Sequence, residues 1–294
     1  MTNMSQPQTV VQRIAPDYQS LAQIAPGITE QDYQAQHQGE VVRECMVYAS
    51  QQDMWQALAL RLLDTLADIL SKQSRADIAL TGGTDGNGMM RVLVDMLHHQ
   101  RSVIEQVEWS RVHLWWGDER YVDANDPDRN ALQVRQEMLD ELVAVGLLPE
   151  DNIHQMPADL GNGEEGLDAQ ALAYEQELHA ELGDKACLDL AMFGVGPDGH
   201  CASLFPNAAE LRADGWVSGV RNSPKLPPLR LTLTVPFIRQ SRQVWFCTST
   251  AGKAQAVQRA LSGEARADTP SSLIDGVERT LWLVDQDAAS LLLA

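Results

Sequence analysis

Positive charge is scarce in this sequence. Its 22 Lys and Arg stand against 41 Asp and Glu over 294 residues, a formal charge of −19. Such a surface repels nucleic acid and anionic membranes at long range, so an anionic ligand has to be caught by a few local cations. Long apolar runs are missing too, since no stretch approaches the roughly 18 apolar residues of a membrane-spanning helix. The opening MTNMSQPQTVVQRIAPDYQ has neither the basic start nor the apolar segment of a signal peptide. The four cysteines, Cys45, Cys187, Cys201 and Cys247, form no C-x-x-C pair, which fits a reduced chain. The expectation is a cytoplasmic protein that binds neither nucleic acid nor membrane. Internal repeats and low-complexity linkers are also absent from residues 40–294.

What is present is a core. At 44% hydrophobic residues the chain can bury a substantial interior. Residues 1–39 are rich in Gln, Pro and Thr with little periodicity, and read as a loosely ordered extension to a domain over 40–294. Within that domain short apolar runs alternate with helical periodicity. Strands are expected at 41–49, 76–81, 110–116, 188–195, 229–235, 243–249 and 279–285. Helices are expected at 54–70, from 89 onward, and at 130–146, 170–182 and 251–263. Continuous apolar strands separated by amphipathic helices predict an α/β fold. It is a three-layer αβα arrangement with a mainly parallel, Rossmann-like sheet and helices on both faces. Ligands in such folds bind beyond the carboxyl ends of the strands.

Four stretches sit in or beside that region. TGGTDGNG (81–88) joins a strand to a helix, where glycines bring backbone N–H groups and a helix N-terminus toward an anion. It matches neither the Walker pattern nor the G-x-G-x-x-G dinucleotide loop, and a plain tight turn is the alternative. WWGDERYV (115–122) places Arg120 among carboxylates just past a strand, as a phosphate fork or as one half of a surface ion pair. Downstream, DPDRN (126–130) reads as a turn and helix start with Asn130 near the cap. GVGPDGH (194–200) bends sharply and delivers His200, a residue able to act as general base or acid, with Asp198 either orienting the ring or capping a following helix. Cys201 is disfavoured as a partner nucleophile because adjacent residues entering a helix diverge. Lastly, SPKLPPLRLTLTV (223–235) carries Lys225 and Arg230, two of the scarce cations, in a proline-stiffened strand entry.

Taken together and in this order, TGGTDG (81–86), GDER (117–120), GVGPDGHCASLFP (194–206) and PKLPPLRLTL (224–233) resemble the motifs of the 6-phosphogluconolactonase family. The resemblance runs from about residue 40 to the C-terminus. It implies cofactor-free and metal-free hydrolysis of 6-phosphoglucono-1,5-lactone in the oxidative pentose phosphate pathway, with functional coupling to glucose-6-phosphate dehydrogenase. It also implies His200 as general base with Asp198 beside it. Gly82, Gly83, Thr84 and Arg120, with Lys225 or Arg230, would hold the phosphate. Asp85 and Gly86 depart from the family's usual Thr-Pro, placing an acid where a phosphate would pass and loosening the loop. Cys201 stands where Thr is usual, and Arg129 where Ser is common.

Two rivals differ in visible features. Glucosamine-6-phosphate deaminases share the Asp-Gly-His loop but continue into a run containing a proton-transfer Glu, whereas here CASLFP carries no acid and the next is Glu210. A sugar-phosphate sensor fused to a DNA-binding module would need a basic helix-turn-helix upstream, and the first forty residues are too short and too polar for one.

Overall fold

The computed structural model describes residues 6–36, 42–183 and 187–294. Among these residues the strands are β1 (Thr9–Ile14), β2 (Val42–Tyr48), β3 (Ala76–Leu80), β4 (Val112–Trp116), β5 (Asp118–Arg120), β6 (Leu190–Gly194), β7 (Val217–Val220), β8 (Arg230–Leu233), β9 (Gln243–Thr248) and β10 (Arg279–Asp285). The helices are α1 (Tyr18–Ile24), α2 (Glu30–Gln36), α3 (Gln51–Lys72), α4 (Gly83–His99), α5 (Arg101–Ile104), α6 (Asn130–Val134), α7 (Asp140–Ala144), α8 (Glu164–Leu182), α9 (Val235–Arg239) and α10 (Ala254–Ala260).

Local chemistry accounts for the principal elements. Helix α3 starts where the Ser50 side chain accepts from Asp53 N, and it buries one face through Met54, Leu58, Leu62, Leu66 and Ile69. Strands β3 and β6 are buried on both faces, as a strand between two helical layers must be. Trp115, Trp116, Trp245 and Trp282 are fully buried around them.

The main sheet has the order β1-β2-β10-β9-β6-β3-β4. All its pairings are parallel except that of β1 with β2. The layered αβα architecture read from the sequence is therefore present, with three corrections, the first being that the helix expected from 89 onward already starts at Gly83, within the expected glycine loop. Residues 229–235 do not join the parallel sheet; β8 forms instead the centre of a separate antiparallel sheet, β5-β8-β7. The expected single helix at 130–146 is two short helices joined by a π-helical turn, Arg135–Leu139.

Residues 6–36 differ most from the loosely ordered extension expected over 1–39. Strand β1 extends the sheet by pairing Thr9 to Ile14 against Val47 to Val42. Leu21, Ala25 and Ile28 are buried in the core. Periodicity was too short to show this, because each segment is stable only against the rest of the fold. The expected boundary at 39/40, and Val41 of the expected first strand, lie outside the described residues.

The topology fixes where a ligand goes. From β3 the chain passes outward to β4, then returns across β3 to β6 and continues through β9 to β10. Connections leave β3 and β6 in opposite directions, opening a crevice at their carboxyl ends. Gly194 N donates to Thr81 Oγ1 at 3.0 Å and ties the two strand ends together there.

Candidate active site

A cleft of about 350 Å³ occupies that crevice. The residues expected to bind or react, Gly82, Gly83, Thr84, Arg120, His200, Lys225 and Arg230, all line it. Asp198 is not in the lining; it stands behind His200.

The 194–200 loop is shaped around the imidazole. A Cβ on Gly196 would lie 2.0 Å from both Nδ1 and Cε1 of His200, so only glycine lets the ring fold back over this turn. Gly199 holds φ +85°, the left-handed value that turns the chain toward His200. The ring's Nδ1 lies 2.5 Å from Asp198 Oδ1. When the ring is neutral, donation to that carboxylate places its one proton on Nδ1 and leaves Nε2 with its lone pair. Burial alone would raise the Asp198 carboxyl, but the hydrogen bond and charge of His200, together with the Lys225 ammonium, hold it well below the usual carboxylate range. Asp198 therefore orients the ring, and it caps no helix, because residues 201–204 form a tight turn closed by a Cys201–Leu204 bridge. The Cys201 thiol is fully buried, and burial pushes it far up, so it is no nucleophile.

Cations approach from the opposite walls. Lys225 Nζ lies 3.4 and 3.5 Å from the two ring nitrogens of His200. Burial and the neighbouring Arg230 and Arg120 lower its pKa, with Asp198 opposing them. Across the β5–β8 ladder Arg120 pairs directly with Arg230. Like charges in register repel, so an anion between them is favoured. Arg230 uses Nε and Nη2 on the carbonyls of Pro227, Lys225 and Leu226, and so shapes the loop that carries Lys225. Arg120 donates to Asp128 O, while its Nε is buried without a partner.

Several contributors were not legible in the sequence. Lys253, just after β9, lines the cleft and donates to Val195 O at 2.6 Å. Its signal was a Gly-Lys pair following a strand, the same placement that marked the other groups. Glu119 is fully buried and takes the N–H groups of Arg120, Asn130 and Ala131, each at 2.7 Å. It thus caps α6 from across the loop, while Asn130, expected near the cap, is the helix's first residue and donates to Asp118 O. Burial pushes the Glu119 carboxyl up to about 7 against the opposing pull of Arg129 and these backbone bonds. Two of the non-glycine residues with positive φ, Ala202 and Thr250, also line the cleft, the kind of backbone strain that collects at functional sites.

Away from the cleft, near the start of β4, His113, His154 and Glu181 bring potential metal-ligating atoms within 4.8 Å of one another. The two rings lie 17° apart in plane with a 3.0 Å nitrogen-to-nitrogen bond. His154 Nδ1 meets Glu177 and Glu181 pairs with Arg75. Burial, with Arg75, pushes His113 down to about 4. Each of these ligating groups already has a protein partner.

Known proteins resemble this chain in sequence and in fold. Residues 49–282 match the family model for glucosamine-6-phosphate isomerases/6-phosphogluconolactonase. A 6-phosphogluconolactonase from Mycobacterium leprae is 42% identical over 250 residues, covering 83% of this chain and 96% of the relative. Two solved structures share the fold at lower identity. A 6-phosphogluconolactonase from Thermotoga maritima has a TM-score of 0.68 at 22% identity, covering 82% of this chain and 99% of its own. A monomeric glucosamine-6-phosphate deaminase has a TM-score of 0.65 at 21% identity, covering 84% and 99%. On the family match and the mycobacterial identity, the chain belongs to the glucosamine-6-phosphate isomerase/6-phosphogluconolactonase family.

Proposed function

We propose that this protein hydrolyses 6-phosphoglucono-1,5-lactone to 6-phosphogluconate, the lactone step of the oxidative pentose phosphate pathway. The observation that carries the reading is the His200–Asp198 pair, 2.5 Å apart, opening onto a cleft whose other walls hold Arg120, Lys225 and Lys253. The closeness to the mycobacterial lactonase supports the same reaction.

The chemistry follows from the ring's tautomer. His200 Nε2 takes a proton from water as the water oxygen bonds to the lactone carbonyl carbon. Negative charge gathers on the carbonyl oxygen, and Lys225, beside the ring, is the cation placed to meet it. Collapse of the tetrahedral intermediate breaks the bond to the ring oxygen. His200 returns its proton to that oxygen, leaving a hydroxyl and a carboxylic acid that ionises. Asp198 stabilises the imidazolium formed between these steps. The 82–84 loop at the N-terminus of α4, with Arg120 and Lys253, holds the phosphate. Arg230 acts mainly by shaping the Lys225 loop.

None of these steps calls for a metal or cofactor. Among the described residues no helix is long and apolar enough to cross a membrane. We assign the activity to the cytoplasm, downstream of a glucose-6-phosphate dehydrogenase that supplies the lactone. The deaminase alternative lacks its acid, since Glu210 lies in a separate 3₁₀ turn, Ala209–Arg212, and does not line the cleft.

The test is a coupled assay. Lactone is generated from glucose 6-phosphate by a dehydrogenase, and 6-phosphogluconate is followed with and without this protein, with spontaneous hydrolysis subtracted. A rate well above background is expected, with no ammonia released from glucosamine 6-phosphate. A rate at background would overturn the reading.

A further inference from the structure

Asp85 is the acid that the sequence places in the glycine loop, on the path of an anion. The structure gives its carboxylate a different surrounding. It is nearly buried and accepts from Trp55 Nε1 at 2.9 Å, Gln51 Nε2 at 3.3 Å, Ser249 N at 3.1 Å and Ser249 Oγ at 2.7 Å. These donors come from two separate elements, the first turns of α3 and the loop after β9. Asp85 itself sits in the first turn of α4, where a carboxylate also meets the helix's positive end.

The contact depends on close packing. A Cβ on Gly88, one turn further along α4, would lie 2.2 Å from the Trp55 ring. Without side chain there, α4 settles against α3 and the indole N–H reaches Asp85. Ser249 in turn precedes Thr250 and Lys253, which line the cleft together with the glycine loop. Thr250 N is held from the other side by Asp285 at 3.0 and 3.1 Å.

We infer that Asp85 is a positioning residue for phosphate capture. It fixes the spacing between the Gly83–Thr84 N–H groups and the Lys253 wall, so that one phosphoryl group engages both. Its charge is taken up by four donors, so the acid braces the pocket and does not oppose the ligand. The inference rests on the reading of the cleft as a sugar-phosphate site, and it makes the 82–84 loop rigid where the sequence suggested looseness.

The experiment compares wild type with Asp85→Asn and Ser249→Ala. KM and kcat are measured on the phosphorylated lactone and on unphosphorylated glucono-1,5-lactone, and 6-phosphogluconate binding is measured by calorimetry. In Asp85→Asn an amide N–H faces Ser249 N–H, so the brace opens while side-chain size is kept. KM for the phosphorylated lactone and the Kd of 6-phosphogluconate should each rise about tenfold. The loss on kcat, and on the unphosphorylated lactone, should be clearly smaller. Ser249→Ala should shift the same two constants in the same direction by less. Equal losses on both lactones, or an unchanged Kd in a folded Asp85→Asn, would overturn the inference. Failure of the functional reading looks different, because wild type itself would then show no turnover above spontaneous hydrolysis.

Discussion

Two clusters of cationic side chains sit at different depths in this protein, and their contrast explains where function resides. In the interior Arg43 donates to both oxygens of Asp275 at 2.7 and 2.8 Å, while Arg239 donates to the same carboxylate at 3.1 Å. All three are at most 1% exposed. Further donors go to the carbonyls of Ala260, Ser272 and Leu273, and Arg239 also lies 5.9 Å over the Tyr33 ring of α2. This cluster is sealed, and it joins β2, α9 and the N-terminal extension. At the carboxyl edge of the sheet, Arg120, Lys225 and Lys253 face a water-accessible cleft. Both are built around cationic side chains. Burial around a shared carboxylate yields a structural rivet, whereas cations crowded around an opening yield a site for an anion. The overall charge of −19 sharpens the distinction, because these few cations are the places where a phosphate can be welcomed.

Substitutions can break the comparison from either side. The largest effect is expected at His200: His200→Ala should lower kcat by about 10²–10⁴-fold while 6-phosphogluconate still binds. In the interior cluster, Asp275→Ala leaves two buried guanidinium groups without their carboxylate. It should cost roughly 3–5 kcal/mol in denaturant unfolding, with kcat of the folded fraction nearly unchanged. If Asp275→Ala changed catalysis more than stability, the division between rivet and site would be wrong. Arg120→Ala should act mainly through KM, raising it about tenfold or more, as loss of a charge-assisted phosphate contact does. An unchanged KM would move the phosphate elsewhere.

The smallest effect concerns pH. The folded state holds the Asp198 carboxyl below its ordinary value of 3.8. Between the two values the unfolded chain binds more protons, so this pair's contribution to stability is present above about pH 4 and lost as pH falls below it. Thermal unfolding of Asp198→Asn should accordingly show a shallower acid limb than wild type. Identical limbs would mean that the His200–Asp198 bond carries no folding free energy.

Much of this site was legible because it obeys one rule, that chemistry follows strand ends. The loops after β3, β4 and β6 each announced themselves by glycine or charge directly behind an apolar run, and Lys225 and Arg230 stood out as cations in an acidic chain. Other features depended on tertiary distance. Glu119 looked like one half of an ion pair with Arg120, yet its carboxylate caps a helix that begins eleven residues later. Asp85 looked obstructive because its donors, Gln51, Trp55 and Ser249, are 30 to 164 residues away. The N-terminal strand was missed for a related reason: β1 gains its stability by pairing with β2, and its own residues, half exposed, show little of that in sequence.

The most direct measurement is the rate of 6-phosphogluconate formation by wild type and His200→Ala, corrected for spontaneous hydrolysis and paired with calorimetric binding of the product. The account predicts a wild-type rate far above background, a variant rate close to background, and product affinity within a few-fold of wild type. Near-normal turnover by His200→Ala would contradict it, and would remove the imidazole at the carboxyl end of β6 from the reaction.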